Sequence, residues 1–265
     1  MGKGMLIDLT KCIGCRGCQV ACKQWNNLHA VDTQFNPEFT NPPVRTAYTW
    51  TTVEFLTTEL NGKTLSTFTK TQCLHCEHPA CESVCIGAAI KKTADGPVIV
   101  NHDKCIGCRY CQVACPFGVP KYEFDKAVPK MQKCTMCADR VSAGMQPACA
   151  ATCPNGAILF GEREALLKTA KERIAKGKGK YIDHVYGEHE VGGTAVIYLS
   201  GVPLEFTKLK EDVTEEAVPN FTWKAMRQIP ALLGAVGVTS LGLLAYSNRR
   251  NAVEAAKRKG DDHCD

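Results

Sequence analysis

The chain has 265 residues, enough for one large domain or two modest ones, with 17 cysteines and a formal net charge of +5. A mild positive charge without an arginine-rich stripe argues against a nucleic-acid partner, and cysteines in regular groups argue against the disulfide framework of a small secreted fold. Residues 1–8 have no apolar h-region and no cleavage site, so no export signal is expected there.

In chain order, the first feature is the run KCIGCRGCQVAC at 11–22, which holds Cys12, Cys15, Cys18 and Cys22. Tyr48 to Lys70 then alternates β-branched and aromatic residues around Asn61-Gly62, which predicts a hairpin. A second quartet follows at Cys73, Cys76, Cys81 and Cys85, with four residues in its middle gap. His75 and His78 lie inside it. With all four cysteines present, they are expected as outer hydrogen-bonding or surface groups rather than ligands. Gly96 to Val100 predicts a short strand entering the third quartet, Cys105, Cys108, Cys111 and Cys115, which Pro116 follows. Its run, KCIGCRYCQVAC at 104–115, agrees with the first at eleven of twelve positions. The fourth quartet is Cys134, Cys137, Cys149 and Cys153, with eleven residues in its middle gap and Pro154 after it. Glu162 to Lys176 has the composition of a surface helix that ends in the solvated Gly-Lys-Gly-Lys of 177–180. Ala195 to Leu199 predicts a strand against the core. The expected fold class is α+β, rich in loops.

C-x2-C-x2-C-x3-C-P is the bacterial ferredoxin ligand pattern for a [4Fe–4S] cluster. Three thiolates two residues apart wrap one face of a small cube, and the tight loop aims backbone N–H groups at its sulfurs. Zinc sites use C-x2-C pairs but do not need a third and fourth cysteine at these spacings. Four quartets therefore predict four [4Fe–4S] clusters. In two-cluster ferredoxins the last cysteine of each motif serves the partner's cluster. The two near-identical runs could pair with each other. Chain order favours nesting, because only nineteen residues separate Cys85 from Cys105. The nested ligand sets are Cys12/Cys15/Cys18/Cys153, Cys134/Cys137/Cys149/Cys22, Cys73/Cys76/Cys81/Cys115 and Cys105/Cys108/Cys111/Cys85. This pairing gives two dicluster units, one inserted in the other: 1–40 with 119–200 outside, and 41–118 within. Lys11, Arg16, Lys104, Arg109 and Lys133 are cations close in sequence to the ligands, where positive charge favours the reduced state.

Residues 201–227 are read as a linker, 228–248 as a transmembrane helix and 249–265 as a cytoplasmic tail. Gln228 to Asn248 is 21 residues without a charge, the length that crosses a bilayer's hydrocarbon core. Trp223 and Tyr246 flank it as interface residues do. Arg249, Arg250, Lys257, Arg258 and Lys259 come after the span, while Lys210, Lys224 and Arg227 precede it. Five cations against three favour a cytoplasmic C-terminus and clusters on the outer face. Cys264, outside any quartet, reads as an incidental free thiol.

With these features together, the chain resembles the iron–sulfur β subunit of membrane-bound formate dehydrogenases, among the four-cluster electron-transfer subunits of the molybdenum/tungsten-bispterin oxidoreductases. The carrying residues are CIGCRGCQVACKQWNN at 12–27, NPP at 41–43, CIGCRYCQVACPFGVP at 105–120, KCTMCADRVSAGMQPACAATCPNGAILFG at 133–161 and VGGTAVIYLS at 191–200. The resemblance implies two ferredoxin-like units and a conduit of four [4Fe–4S] clusters serving anaerobic respiration. Its implied partners are a catalytic subunit holding a bispterin molybdenum or tungsten centre and a membrane cytochrome b that exchanges electrons with quinone. It also implies an inner-membrane location with the clusters on the periplasmic side, export relying on the catalytic subunit's twin-arginine signal. Similar subunits serve membrane-bound nickel–iron hydrogenases and other bispterin reductases, the alternatives. The first quartet departs from the pattern with Lys23, and the second with Ile86, where the others have proline. A redox sensor would need a labile cluster and an output domain. A catalytic chain would need a pterin, flavin or nucleotide signature. The sequence presents neither, so the expected role is non-catalytic electron transfer.

Overall fold

The computed structural model of the chain describes residues 2–60 and 62–261; Asn61 of the hairpin turn and Cys264 lie outside the described residues. Residues 1–219 form one unit and residues 220–265 a second.

The elements of the first unit run β1 (Lys3–Asp8), α1 (Gly17–Trp25), β2 (Thr52–Leu60), β3 (Lys63–Thr71), α2 (Ala80–Ser83), β4 (Ile90–Lys92), β5 (Val98–Val100), α3 (Tyr110–Ala114), β6 (Lys121–Tyr122), β7 (Met131–Gln132), α4 (Ala138–Ser142), α5 (Ala148–Ala151), β8 (Ile158–Glu162), α6 (Arg163–Lys176), β9 (Val185–Tyr186) and β10 (Val196–Leu199). One four-stranded sheet, in the order β8-β1-β10-β9, forms the centre. β1 runs parallel to β10, with Met5 opposite Val196, and antiparallel to β8, with Ile7 opposite Ile158. Three two-stranded ribbons, β2-β3, β4-β5 and β6-β7, complete the strands.

Period-two alternation explains how this sheet serves the site. Met5, Ile7, Val196 and Tyr198 pack on the face that carries Cys18, Cys149 and Cys153. Leu6, Ile197 and Leu199 point the other way, onto Leu166, Leu167 and Ala170 of α6. β1 and β10 are therefore buried on both faces, and they read as continuous apolar runs. A half-buried ion pair ties the layers together, Arg173 of α6 to the buried Asp8 at 2.7 Å. Gly4 is required at one crossing, where a Cβ would stand 2.3 Å from the Ala195 carbonyl oxygen.

The hairpin forms as its alternation predicts, with Thr52 opposite Thr71 and Phe55 opposite Phe68. Residues 202–217 are not loose. The backbone amides of Val191 and Gly192 donate to the Thr214 and Glu215 carbonyls, and Ala217 and Thr207 are buried.

The chain continues through α7 (Val218–Met226) into α8 (Ile229–Asp261). Residues 218–255 give one helical stretch long and apolar enough to cross a membrane, and none of its window is buried. α8 runs past Asn248, beyond the charge-free stretch. Good helix formers continue there, and Arg250 pairs with Glu254 at 3.0 Å across one turn.

Candidate metal centre

Each quartet opens with the same backbone turn. Gly14 (φ 68°), His75 (φ 50°), Gly107 (φ 70°) and Met136 (φ 55°) each stand directly before the second cysteine, in the left-handed region. A left-handed residue in such a turn aims backbone N–H groups to one side, a concavity suited to an anion. Glycine adopts it freely. His75 and Met136 do so at a cost of about 1–3 kcal/mol, offset by packing, and both are buried.

His75 is thus a turn residue. Its Nδ1 accepts the Val98 N–H at 2.9 Å, so the proton sits on Nε2, which has no protein partner among the described residues. Burial, then the charges of Lys133, Lys92 and Lys70, hold this imidazole well below its ordinary value and neutral. His78 is exposed.

The structure brings the cysteines into mixed groups. Cys12, Cys15 and Cys18 share a cavity of about 420 Å³ with Cys153, otherwise lined largely by Ile7, Ile13, Val53, Ile158 and Lys70. Cys105, Cys108 and Cys111 share one of about 330 Å³ with Cys85, beside Ile90, Tyr122 and Met131. Cys134, Cys137 and Cys149 share one of about 290 Å³ with Cys22, beside Met5, Trp50 and Gln72. The sulfurs acting electrostatically on Cys76 are those of Cys73, Cys115 and Cys81. In every group three cysteines come from one quartet and one from another. Among the described residues no three His, Cys, Asp or Glu side chains stand where they could hold a single metal ion. The geometry fits a polyatomic, anionic group held by four thiolates.

Backbone N–H groups already address these sulfurs. Ala89 donates to Cys85 Sγ at 3.2 Å, Ala157 to Cys153 Sγ at 3.3 Å and Met136 to Cys134 Sγ at 3.4 Å. Burial, with neighbouring sulfurs adding to it, pushes the Cys18, Cys81 and Cys134 thiols up to about 12. The ligand form is the thiolate, so loading a metal group there releases protons and supplies the positive charge that the buried sulfurs lack.

Of the cations expected near the ligands, Lys133 is buried and donates to the carbonyls of Val98 and Cys134. Arg16 and Arg109 lie over the Phe55 and Phe124 rings, at 4.5 and 4.9 Å. Lys104 is exposed. Sequence reasoning missed Lys70, which is 1% exposed at the end of β3. A lysine at a strand end before C-x2-C looks like any solvent-facing lysine, and no periodic signal sets it apart.

Comparison with known proteins agrees with this chemistry. Residues 65–163, which hold the second, third and fourth quartets, match the 4Fe-4S dicluster domain family. The iron–sulfur subunit of the nitrate-inducible formate dehydrogenase of Escherichia coli K12 is 43% identical over 197 residues, 73% of this chain and 66% of its own length. The formate dehydrogenase-O iron–sulfur subunit of the same organism is 40% identical over 247 residues, 91% of this chain and 81% of its own. The chain belongs to the family of formate dehydrogenase iron–sulfur subunits. Like them it is an electron-transfer subunit with [4Fe–4S] clusters, not a catalytic one. The hydrogenase-2 operon protein HybA of E. coli O157:H7 is 35% identical over 300 residues, covering 98% of this chain and 88% of its own length.

Proposed function

We propose that this formate dehydrogenase-type subunit carries four [4Fe–4S] clusters, held by Cys12/Cys15/Cys18/Cys153, Cys134/Cys137/Cys149/Cys22, Cys73/Cys76/Cys81/Cys115 and Cys105/Cys108/Cys111/Cys85. The carrying observation is the crossing of each quartet's last cysteine into another quartet's group. The first and fourth quartets then form one dicluster unit, 1–40 with 119–200, around the inserted unit 41–118.

Packing supports a linear order of sites. Cys18 and Cys153 share an apolar cluster with Cys149. Cys134 shares one with Cys73 and Cys115. Cys81 shares one with Cys85, Cys105 and Cys111. Clusters held at these sites would stand in the order Cys12, Cys134, Cys73 and Cys105, along which one electron could be handed in either direction. The protein contributes spacing, a low dielectric and hydrogen bonds to the sulfurs, which tune cluster potentials.

The conduit joins a catalytic subunit with a bispterin molybdenum or tungsten centre, acting on formate, to a membrane cytochrome b and the quinone pool. Residues 228–248 cross the inner membrane once, with the clusters periplasmic and the tail 249–265 cytoplasmic, as the cation bias favours. The match to HybA over nearly the whole chain supports a second reading, the same conduit in a nickel–iron hydrogenase.

Purification of the full chain with its natural partners tests both. Four clusters per chain, by iron and acid-labile sulfide, and a molybdenum- or tungsten-bearing partner are expected. Two clusters per chain would overturn the ligand assignment, and a nickel–iron partner would move the chain to the second reading.

A further inference from the structure

Lys70 is a buried cation. Its side chain is 1% exposed. Its amine donates to Gln72 Oε1, and among the described residues no Asp or Glu forms an ion pair with it. Gln72 is also buried, and its own amide reaches Met5 Sδ at 3.5 Å. Lys70 lines the cavity of Cys12, Cys15, Cys18 and Cys153, while Gln72 lines that of Cys22, Cys134, Cys137 and Cys149. Burial alone would pull the amine down, but the charges of Cys149, Cys18, Cys134 and Cys22 outweigh it and hold it up. Three of those sulfurs belong to the Cys22/Cys134/Cys137/Cys149 site and one, Cys18, to the Cys12/Cys15/Cys18/Cys153 site. The strand backbone is pinned as well, since the Tyr198 hydroxyl donates to the Lys70 carbonyl at 2.9 Å.

An unpaired ammonium in a protein interior is costly, and a fixed anion must offset it. The anionic groups that act on it are sulfurs of both sets, and it lines the cavity of the first. A cluster held by four thiolates is an anion that gains one negative charge on reduction, so a nearby cation stabilises the reduced form more than the oxidised one.

We infer that Lys70 is a counter-cation shared by the Cys12/Cys15/Cys18/Cys153 and Cys22/Cys134/Cys137/Cys149 sites, raising the reduction potentials of both clusters together. The inference rests on the four-cluster reading. One charge between two sites biases them in the same direction and eases the first reduction of the pair. The Cys85/Cys105/Cys108/Cys111 site lacks this cation. There Cys111 Sγ instead meets the Tyr122 hydroxyl at 3.2 Å.

Potentiometric titration of the purified full-length chain in its complex, followed by electron paramagnetic resonance, tests it. Signals are assigned with single cysteine variants, and iron is counted in every sample. In Lys70→Met the two clusters nearest the amine should become harder to reduce by at least tenfold in the oxidised-to-reduced ratio, about 59 mV for one electron. The Cys85/Cys105/Cys108/Cys111 cluster should stay in place, and Lys70→Arg should restore the other two. Unmoved potentials with all clusters present overturn the counter-cation role alone. A wild-type chain without four clusters overturns the four-cluster reading instead. If Lys70→Met loses the two clusters, their retention in Lys70→Arg supports a charge requirement. Their loss in Lys70→Arg as well shows a packing role and overturns the inference.

Discussion

From Lys11 to Cys18 and from Lys104 to Cys111 the backbone takes one path. Gly14 and Gly107 have φ of 68° and 70°, and Arg16 and Arg109 have 57° and 63°. Each arginine precedes a helix, yet α1 continues for 9 residues while α3 stops after 5. The twelve-residue runs are alike, so the difference comes from the next residue in each case, Lys23 or Pro116. Pro116 has no N–H to give and disfavours a helical residue before it, so Cys115 is extended at φ −77° and ψ 113°. Lys23 imposes no such stop. The helix continues, and the Lys23 amine reaches out to the carbonyls of Tyr48 and His29 at 2.8 and 2.9 Å.

The sulfur of the last cysteine records the consequence. Where the chain turns after that cysteine, a backbone N–H four residues on addresses its sulfur: Ala89 for Cys85, Ala157 for Cys153 and Val119 for Cys115. Cys22 lies inside a helix whose amides are engaged. Its residue four positions on, Asn26, supplies a side-chain N–H instead, Nδ2 to Sγ at 3.7 Å and to the Cys22 carbonyl at 2.8 Å. At Cys22 a side-chain donor thus takes the place that a backbone N–H holds at the other three sulfurs.

Three pairs of changes probe this contrast, in falling order of effect. Cys22→Ala should abolish the cluster of Cys134, Cys137 and Cys149, while Cys115→Ala should abolish that of Cys73, Cys76 and Cys81. Cluster-resolved paramagnetic spectra check both, and loss of each run's own cluster would break the crossed assignment.

Lys23→Pro would impose the third run's ending on the first. It places a proline inside α1 and removes both lysine bonds, so chemical denaturation should show a loss of about 3 kcal/mol or more. Pro116→Lys, at a residue outside any helix, should cost far less. Equal costs would mean that the residue after the quartet does not set the helix length.

Asn26→Leu and Tyr122→Phe each remove one polar hydrogen from a ligand sulfur. Each should make only its own cluster harder to reduce, because hydrogen bonds to sulfur favour the more negative state. The tyrosine change should act more strongly, its oxygen lying 3.2 Å from Cys111 Sγ against 3.7 Å for Asn26. Redox titration of the two variants gives the ranking.

Much of the site was legible before any fold was known. Cysteine spacing names a cluster by itself, because a tight loop of thiolates is a local structure. The hairpin was likewise visible as alternation, the β10 strand as an apolar run and α6 as composition. His75 shows the limit: its place in the quartet was plain, but only its left-handed φ and burial reveal it as the counterpart of Gly14. Lys70 was invisible, because its meaning depends on sulfurs 48 to 79 residues away in sequence that the central sheet gathers around it.

The sequence by itself determined the quartets and an apolar segment long enough to span a bilayer, since each depends on residues within a few positions of one another. Tertiary structure decided which cysteine joins which cavity, which lysine stays dry among them and which face of β1 meets the sites. Burial and electrostatics act through space, and chain order does not encode them.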